Sequence, residues 1–252
     1  MMINNSEYTA VVLAAGYGSR ISDMTNRPKC LLELEGKTLL ERSFTIWKNL
    51  GIKKVNLVLG YKKELIQDIA QKYTDDFDFS FYLNEDYKNH GNTFSLYLGI
   101  KEIEDSCLIF DADLVYEQCI LEEFLNKKKS SEILVGEGSL SDVECAKTMI
   151  DSSGFARMTI DKREVSKVEL EKFTFAGEAI GILKFNKEHT SRLADLASVF
   201  LSKPENLSLN WEHLLNEFLL LNEVGVHKFL AGKWMEIDTP EDFKEAQIMF
   251  EE

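Results

Sequence analysis

A chain of 252 residues, 44 % of them hydrophobic, can bury a sizeable core without disulfides or metals, and its formal charge of −14 argues against nucleic acid or an anionic membrane as its main partner. A small anionic substrate remains compatible, because a few local cations suffice for it. The four cysteines form no C-x-x-C pair and have no histidine at zinc spacing, which excludes a zinc module and reads as reduced, mostly buried thiols of a cytoplasmic protein.

The first strand signal, 10–13, lies in an apolar run from Thr9 to Ala14 and leads into Gly16-Tyr17-Gly18-Ser19-Arg20, then Arg27-Pro28-Lys29. That start resembles the end of a signal peptide only superficially: it is short, Glu7 stands where a basic leader would, and no stretch of the chain has the apolar length of a membrane span. Gly16 and Gly18 permit backbone conformations closed to other residues, so that successive N–H groups can converge on phosphate oxygens, with Ser19 beside them. Arg20 suits a forked grip on outer phosphates, and Lys29 supplies a compact point charge. Two better-known phosphate loops are ruled out on spacing. A dinucleotide fingerprint needs a third glycine where Ile21 stands, and a P-loop ending at Gly36-Lys37-Thr38 needs glycine in place of Leu31.

Helical signals at 39–50, 63–73 and 93–102 alternate with strand signals at 55–59, 79–83 and 108–110. This rhythm predicts an α/β, Rossmann-like fold, a mostly parallel sheet flanked by helices, with ligands beyond the carboxyl ends of its strands. From about residue 130 the pattern changes to short strand-like runs at 132–135, 147–150, 156–160, 165–168 and 177–183, which predict a small mixed-β lobe. Amphipathic helices at 187–199 and 209–221 follow, then a strand at 226–230 and a closing helix capped by Thr239 with Pro240 in its first turn. With no repeat or linker, residues 1–252 read as one domain: a nucleotide-binding core at about 1–130 and 225–252, and an acceptor-binding portion at about 131–224.

Asp111-Ala112-Asp113 follows the strand at 108–110, which puts both carboxylates on the rim that carries the glycine loop. Carboxylates beside a triphosphate are hard oxygen ligands for Mg2+, and Asp238, also at a strand end, can complete such a site from the far end of the chain. Asp113 and Asp238 are the metal candidates, and Lys29 and Arg20 the catalytic ones.

Taken in order, the run 13–20 with Arg27-Pro28-Lys29, Gly60-Tyr61 after the second strand, Asp111-Ala112-Asp113 and Glu236-Ile237-Asp238 resemble the sugar-nucleotidyltransferase family. The chain looks most like its small cytidylyltransferase branch, which activates phosphocholine or 2-aminoethylphosphonate; Asn92-Thr93-Phe94-Ser95-Leu96-Tyr97-Leu98 is similar to that branch's segment. The resemblance implies the nucleotidyltransferase fold, CTP as donor and Mg2+ as cofactor. It implies that the backbone of Leu13, Ala14, Ala15, Gly16 and Gly18 holds base and phosphates, Arg20 the outer phosphates, and Lys29 the charge developing at the α-phosphate. Asn84, Gly91, Asn92 and Thr93 would contact base or ribose, and Asp111 would serve as a secondary nucleotide or metal contact.

In the segment expected to receive the acceptor, Ser141-Asp142-Val143-Glu144-Cys145-Ala146-Lys147 is polar, where the phosphocholine branch carries aromatics. Lys147 would bind a phosphonate or phosphate, and Asp142, Glu144 or Glu178 an ammonium, since a primary ammonium prefers carboxylates and a quaternary one an aromatic cage. The reading therefore favours 2-aminoethylphosphonate among small amino-alkyl acceptors. Trp211 can furnish one cage wall and keeps phosphocholine as the alternative. A sugar-1-phosphate nucleotidyltransferase and a non-catalytic nucleotide-binding module are further alternatives, the latter opposed by Lys29, Asp113 and Asp238 together.

Overall fold

In the computed structural model, which describes residues 5–21, 25–126 and 130–251, every residue of β1 (Tyr8–Ala14) is buried. Its side chains alternate between two cores, Tyr8, Ala10, Val12 and Ala14 entering one and Val11 and Leu13 the other. A strand covered on both faces has no polar side to show, which is why the run reads as continuously apolar. A short hairpin, β2 (Glu33–Leu34) and β3 (Lys37–Thr38), leads into α1 (Leu39–Asn49), whose first turn is closed by a reciprocal Thr38–Glu41 capping box. Then come β4 (Lys54–Leu59), α2 (Lys63–Gln71), β5 (Asp78–Leu83), α3 (Asn92–Ile100) and β6 (Ser106–Asp111).

The chain continues through β7 (Leu114–Tyr116), α4 (Gln118–Leu125), β8 (Glu132–Gly136), β9 (Lys147–Ile150), β10 (Ala156–Ile160), α5 (Lys167–Lys172) and the long β11 (Thr174–Phe185). It closes with α6 (Lys187–Leu201), α7 (Trp211–Leu221), β12 (Gly225–Lys228), β13 (Trp234–Glu236) and α8 (Pro240–Phe250). The main sheet runs β10-β9-β11-β6-β1-β4-β5, with β8 beside β11 and β12 beside β8. β6, β1, β4 and β5 are parallel, whereas β11 lies antiparallel to β6, β8 and β9 and so converts the sheet into the mixed lobe. Phe44, Trp47, Ile66 and Phe124, from α1, α2 and α4, cover one face; Leu96, Phe200 and Leu214, from α3, α6 and α7, cover the other.

One predicted strand is corrected. Residues 165–168 form a loop and the start of α5, because Ser166 and Glu169 make a capping box there and Arg163 grips Glu169 with both guanidinium nitrogens. α5 buries none of its residues, so local capping rather than a core face holds it as a helix. β2, β3, β7 and α4 have no counterpart among the predicted elements. Cys30, Cys107 and Cys145 are buried free thiols and Cys119 is exposed. Among the described residues, no helix is long and apolar enough to cross a membrane.

Candidate active site

A cleft of about 840 Å3 opens beyond the carboxyl ends of β1 and β6, lined on one side by Leu13, Ala15, Gly16, Gly18 and Ser19. Gly18 is the glycine this loop requires: its φ is +65°, and a Cβ there would lie 2.8 Å from the Lys29 side chain, which crosses beneath it. Gly16 departs from expectation, since its backbone is not left-handed and a side chain at that position would meet open space. Ala14 packs into the core below the cleft, leaving only its backbone near the loop.

Asp113, Glu236 and Asp238 form the polar centre, each offering a carboxylate oxygen, all within 4.8 Å of one another. Alternation along the chain brings Glu236 and Asp238 to the cleft while Ile237 between them is fully buried. The backbone supports this: Ile237 N–H donates to the Asp113 carbonyl, and Asp238 N–H donates to Asp242, which also caps α8 with Thr239. The Lys29 ammonium donates to Asp113 at 2.7 Å and to Asp238 at 2.5 Å, and Arg20 pairs with the other Asp238 oxygen at 2.7 Å. Burial opposes the Lys29 charge, but Asp113 and Asp238 outweigh it and hold the ammonium above its ordinary range. Burial would likewise raise Asp238, yet the Lys29 hydrogen bond and the two cations keep it low. Among the described residues no cation is bonded to Glu236, and desolvation together with Asp113 and Asp238 pushes it up. Three hard oxygen donors gathered around an ammonium fit a divalent cation such as Mg2+.

Asp111 stands apart from that triad. Its carboxyl lies against Gly181 on β11, and desolvation, with Asp113 adding, raises it well above the usual carboxylate range. The other sequence-predicted nucleotide contacts divide. Asn84 and Gly91 line the cleft, but the Asn84 amide is engaged with Ser95 and His90. Asn92 lines it too, and its Oδ1 accepts the Trp211 backbone N–H at 2.7 Å, which joins α3 to α7. Gly91 allows that join, because a Cβ there would sit 2.1 Å from the Leu209 carbonyl. Thr93 is corrected: it is fully buried one residue into α3 and does not reach the cleft.

Of the residues the sequence assigned to an acceptor, Asp142, Glu144, Glu178 and Trp211 line the cleft. Lys147 does not. Its side chain is fully buried and its ammonium donates to the Cys145 carbonyl at 2.8 Å and the Arg163 carbonyl at 3.3 Å, tying β9 to the turn after β10. Lys147→Ala is therefore expected to lower folding stability by about 2–4 kcal/mol in a denaturant titration, through a cavity and two unsatisfied carbonyls. A variant as stable as the parent, with the acceptor KM raised about tenfold, would return Lys147 to the binding surface.

Sequence reasoning missed Glu236 as a member of the carboxylate group, although the E-x-D alternation carried the signal. It also missed Asp161, Lys162 and Glu212, which line the cleft. Lys162 adopts φ +50°, a left-handed conformation unusual for lysine, and its charge is felt at both Glu212 and Asp238. Nothing in Asp161-Lys162-Arg163 distinguishes it locally from a solvated turn.

Residues 10–139 match the MobA-like NTP transferase domain. The CTP:phosphoglutamine cytidylyltransferase of Campylobacter jejuni is 26 % identical over 95 % of this chain and 98 % of its own. The choline-phosphate cytidylyltransferase of Haemophilus influenzae is 25 % identical over 93 % and 94 %, and the 2-aminoethylphosphonate cytidylyltransferase of Lancefieldella rimae 23 % identical over 94 % and 91 %. In fold, the CTP:phosphocholine cytidylyltransferase from Streptococcus pneumoniae superposes with a TM-score of 0.77 over 97 % of this chain and 99 % of that one, at 19 % identity.

Proposed function

Because the chain belongs to the MobA-like NTP transferase family and is a nucleotidyltransferase, we propose that it transfers CMP from CTP to a small dipolar phosphonate or phosphate, 2-aminoethylphosphonate fitting best, with release of pyrophosphate. The observation that carries this reading is the meeting, in one cleft, of Arg20 after the glycine loop and Lys29 beneath it with Asp113, Glu236 and Asp238. CTP as the donor is supported by the relatives, three of which are cytidylyltransferases over nearly their whole length.

Asp113, Glu236 and Asp238 are the residues that would hold Mg2+, which when bound neutralises phosphate charge as a Lewis acid. Arg20 grips the outer phosphates and Lys29 meets charge developing at the α-phosphate. An acceptor oxygen attacks the α-phosphorus in line; the new P–O bond forms as the bond to the bridging oxygen breaks, and that oxygen leaves with its electron pair as pyrophosphate. The attacking oxygen is already ionised near neutral pH, so no general base is needed. His90, the histidine lining the cleft, is engaged with Asn84 and packed on Phe94. Catalysis then rests on positioning and charge.

Lys162 takes the part the sequence assigned to Lys147, as the cation that the acceptor lobe presents to the acceptor's anionic group. The acceptor's far end meets carboxylates. Trp211 is only 4 % exposed, too enclosed to offer a ring face to a quaternary ammonium, which favours a primary one.

The test incubates the protein and Mg2+ with each common ribonucleoside triphosphate and a panel of 2-aminoethylphosphonate, phosphocholine, phosphoglutamine and glucose 1-phosphate, and follows pyrophosphate. Release with CTP and 2-aminoethylphosphonate is expected. Release with none of the pairs overturns the transfer reading; release with phosphocholine but not 2-aminoethylphosphonate overturns the acceptor alone.

A further inference from the structure

The acceptor end of the cleft is strongly acidic, yet its carboxylates are not equivalent. Asp142 accepts the Glu144 backbone N–H in an exposed turn. Asp111 is shielded against Gly181, and Asp113 and Asp238 are bonded to Lys29. Glu178 lies beside the Cys145 thiol, which donates to it. Glu212 differs from all of these. It sits in the first turn of α7 and lines the cleft, but its Oε2 is enclosed and accepts no hydrogen bond among the described residues.

We propose that Glu212 receives the cationic end of the acceptor, with Asp161 as the second negative wall, and is thereby the residue that selects ammonium-bearing acceptors. This rests on the reading of the cleft as the site of transfer to a dipolar acceptor. An enclosed carboxylate oxygen without a partner is costly, and a donor carrying positive charge removes that cost by bonding to it. The neighbouring charges agree. Burial pushes the Glu212 carboxyl up to about 7, Asp161 adds to this, and Lys162 opposes it. Asp111 feels the Glu212 charge from across the cleft.

The layout also orders the acceptor. The Lys162 charge acts on Glu212 on one side and on Asp238 of the metal-ligand group on the other. An anionic head held by Lys162 faces the nucleotide, while an ammonium two carbons away is left at Glu212. Lys162 is itself held in place by its neighbour: the Arg163 carbonyl takes the buried Lys147 hydrogen bond, and the Arg163 side chain is forked onto Glu169. The same lobe that excludes Lys147 from the cleft thus sets Lys162 and Asp161 opposite α7.

Calorimetric binding of 2-aminoethylphosphonate and of its amine-free isostere propylphosphonate, each with Mg2+ and a non-hydrolysable CTP analogue, tests this on the whole chain. The wild-type protein is expected to bind the amine about 30-fold more tightly, and Glu212→Gln to reduce that ratio to within about threefold while leaving propylphosphonate affinity unchanged. Asp161→Asn is expected to reduce it about fivefold. A wild-type ratio near unity, or a ratio that survives in Glu212→Gln, overturns the assignment; a Glu212→Gln variant that fails to fold passes the decision to Asp161→Asn, whose unchanged ratio does the same. Failure of pyrophosphate release with every NTP would sink the transfer reading separately, since binding is read without turnover.

Discussion

Lys29→Ala is expected to lower kcat about a hundredfold to a thousandfold, the loss seen when one preorganised donor to developing charge is removed. Pyrophosphate release under saturating substrates checks it, with circular dichroism confirming the fold. The structure adds a second, opposite effect. The Lys29 ammonium bonds to Asp113 and Asp238, two of the oxygens a divalent cation would use. Lys29 and the cation therefore compete, and without nucleotide the variant is expected to bind Mn2+ about tenfold more tightly. Slower turnover with tighter metal binding is a combination that simple misfolding does not produce. Unchanged metal affinity would show that Lys29 is not a competitor, and near-parental kcat would remove it from the mechanism.

Asp238→Asn is expected to reduce kcat by about a thousandfold, corresponding to the several kcal/mol that a metal contributes at a phosphoryl centre. Its side chain bonds to Lys29 and Arg20 and belongs to the carboxylate group proposed to hold the cation. Substitution therefore loosens Lys29 and Arg20 as well as the proposed cation site. The fold does not depend on that carboxylate, because Asp238 reaches α8 through its backbone N–H and Asp242. A thermal midpoint close to that of the parent, with the metal requirement shifted to higher concentration, is the expected accompaniment. Retained activity at ordinary Mg2+ would exclude the carboxylate triad as the metal site.

The parallel half of the sheet was legible because β1, β4 and β6 are short apolar runs separated by helices with clear amphipathic spacing. Thr239-Pro240 announced α8, and the capping box with Asp242 is its physical content. The run at 165–168 misled because alternation there meets no sheet: α5 is an exposed turn of helix held by Ser166, Glu169 and Arg163. Lys147 misled for the converse reason. A lysine in a polar segment looks solvated, but the strand turns it inward onto two carbonyl oxygens.

By itself the sequence determined the α/β rhythm, the glycine loop with the nearby Arg20 and Lys29, and the carboxylates at strand ends, because each depends on residues near one another along the chain. Only the tertiary structure decided which charges share the cleft. Glu236 joins Asp113 and Asp238 through the β13–β7 pairing, and Lys162 lines the cleft where Lys147 does not, on a turn held from behind. Glu212 Oε2, which is enclosed and without a hydrogen-bond partner among the described residues, lines the cleft only once α7 is docked against it. Desolvation and pairing depend on what packs around a group, and that is settled by contacts between segments distant in the chain.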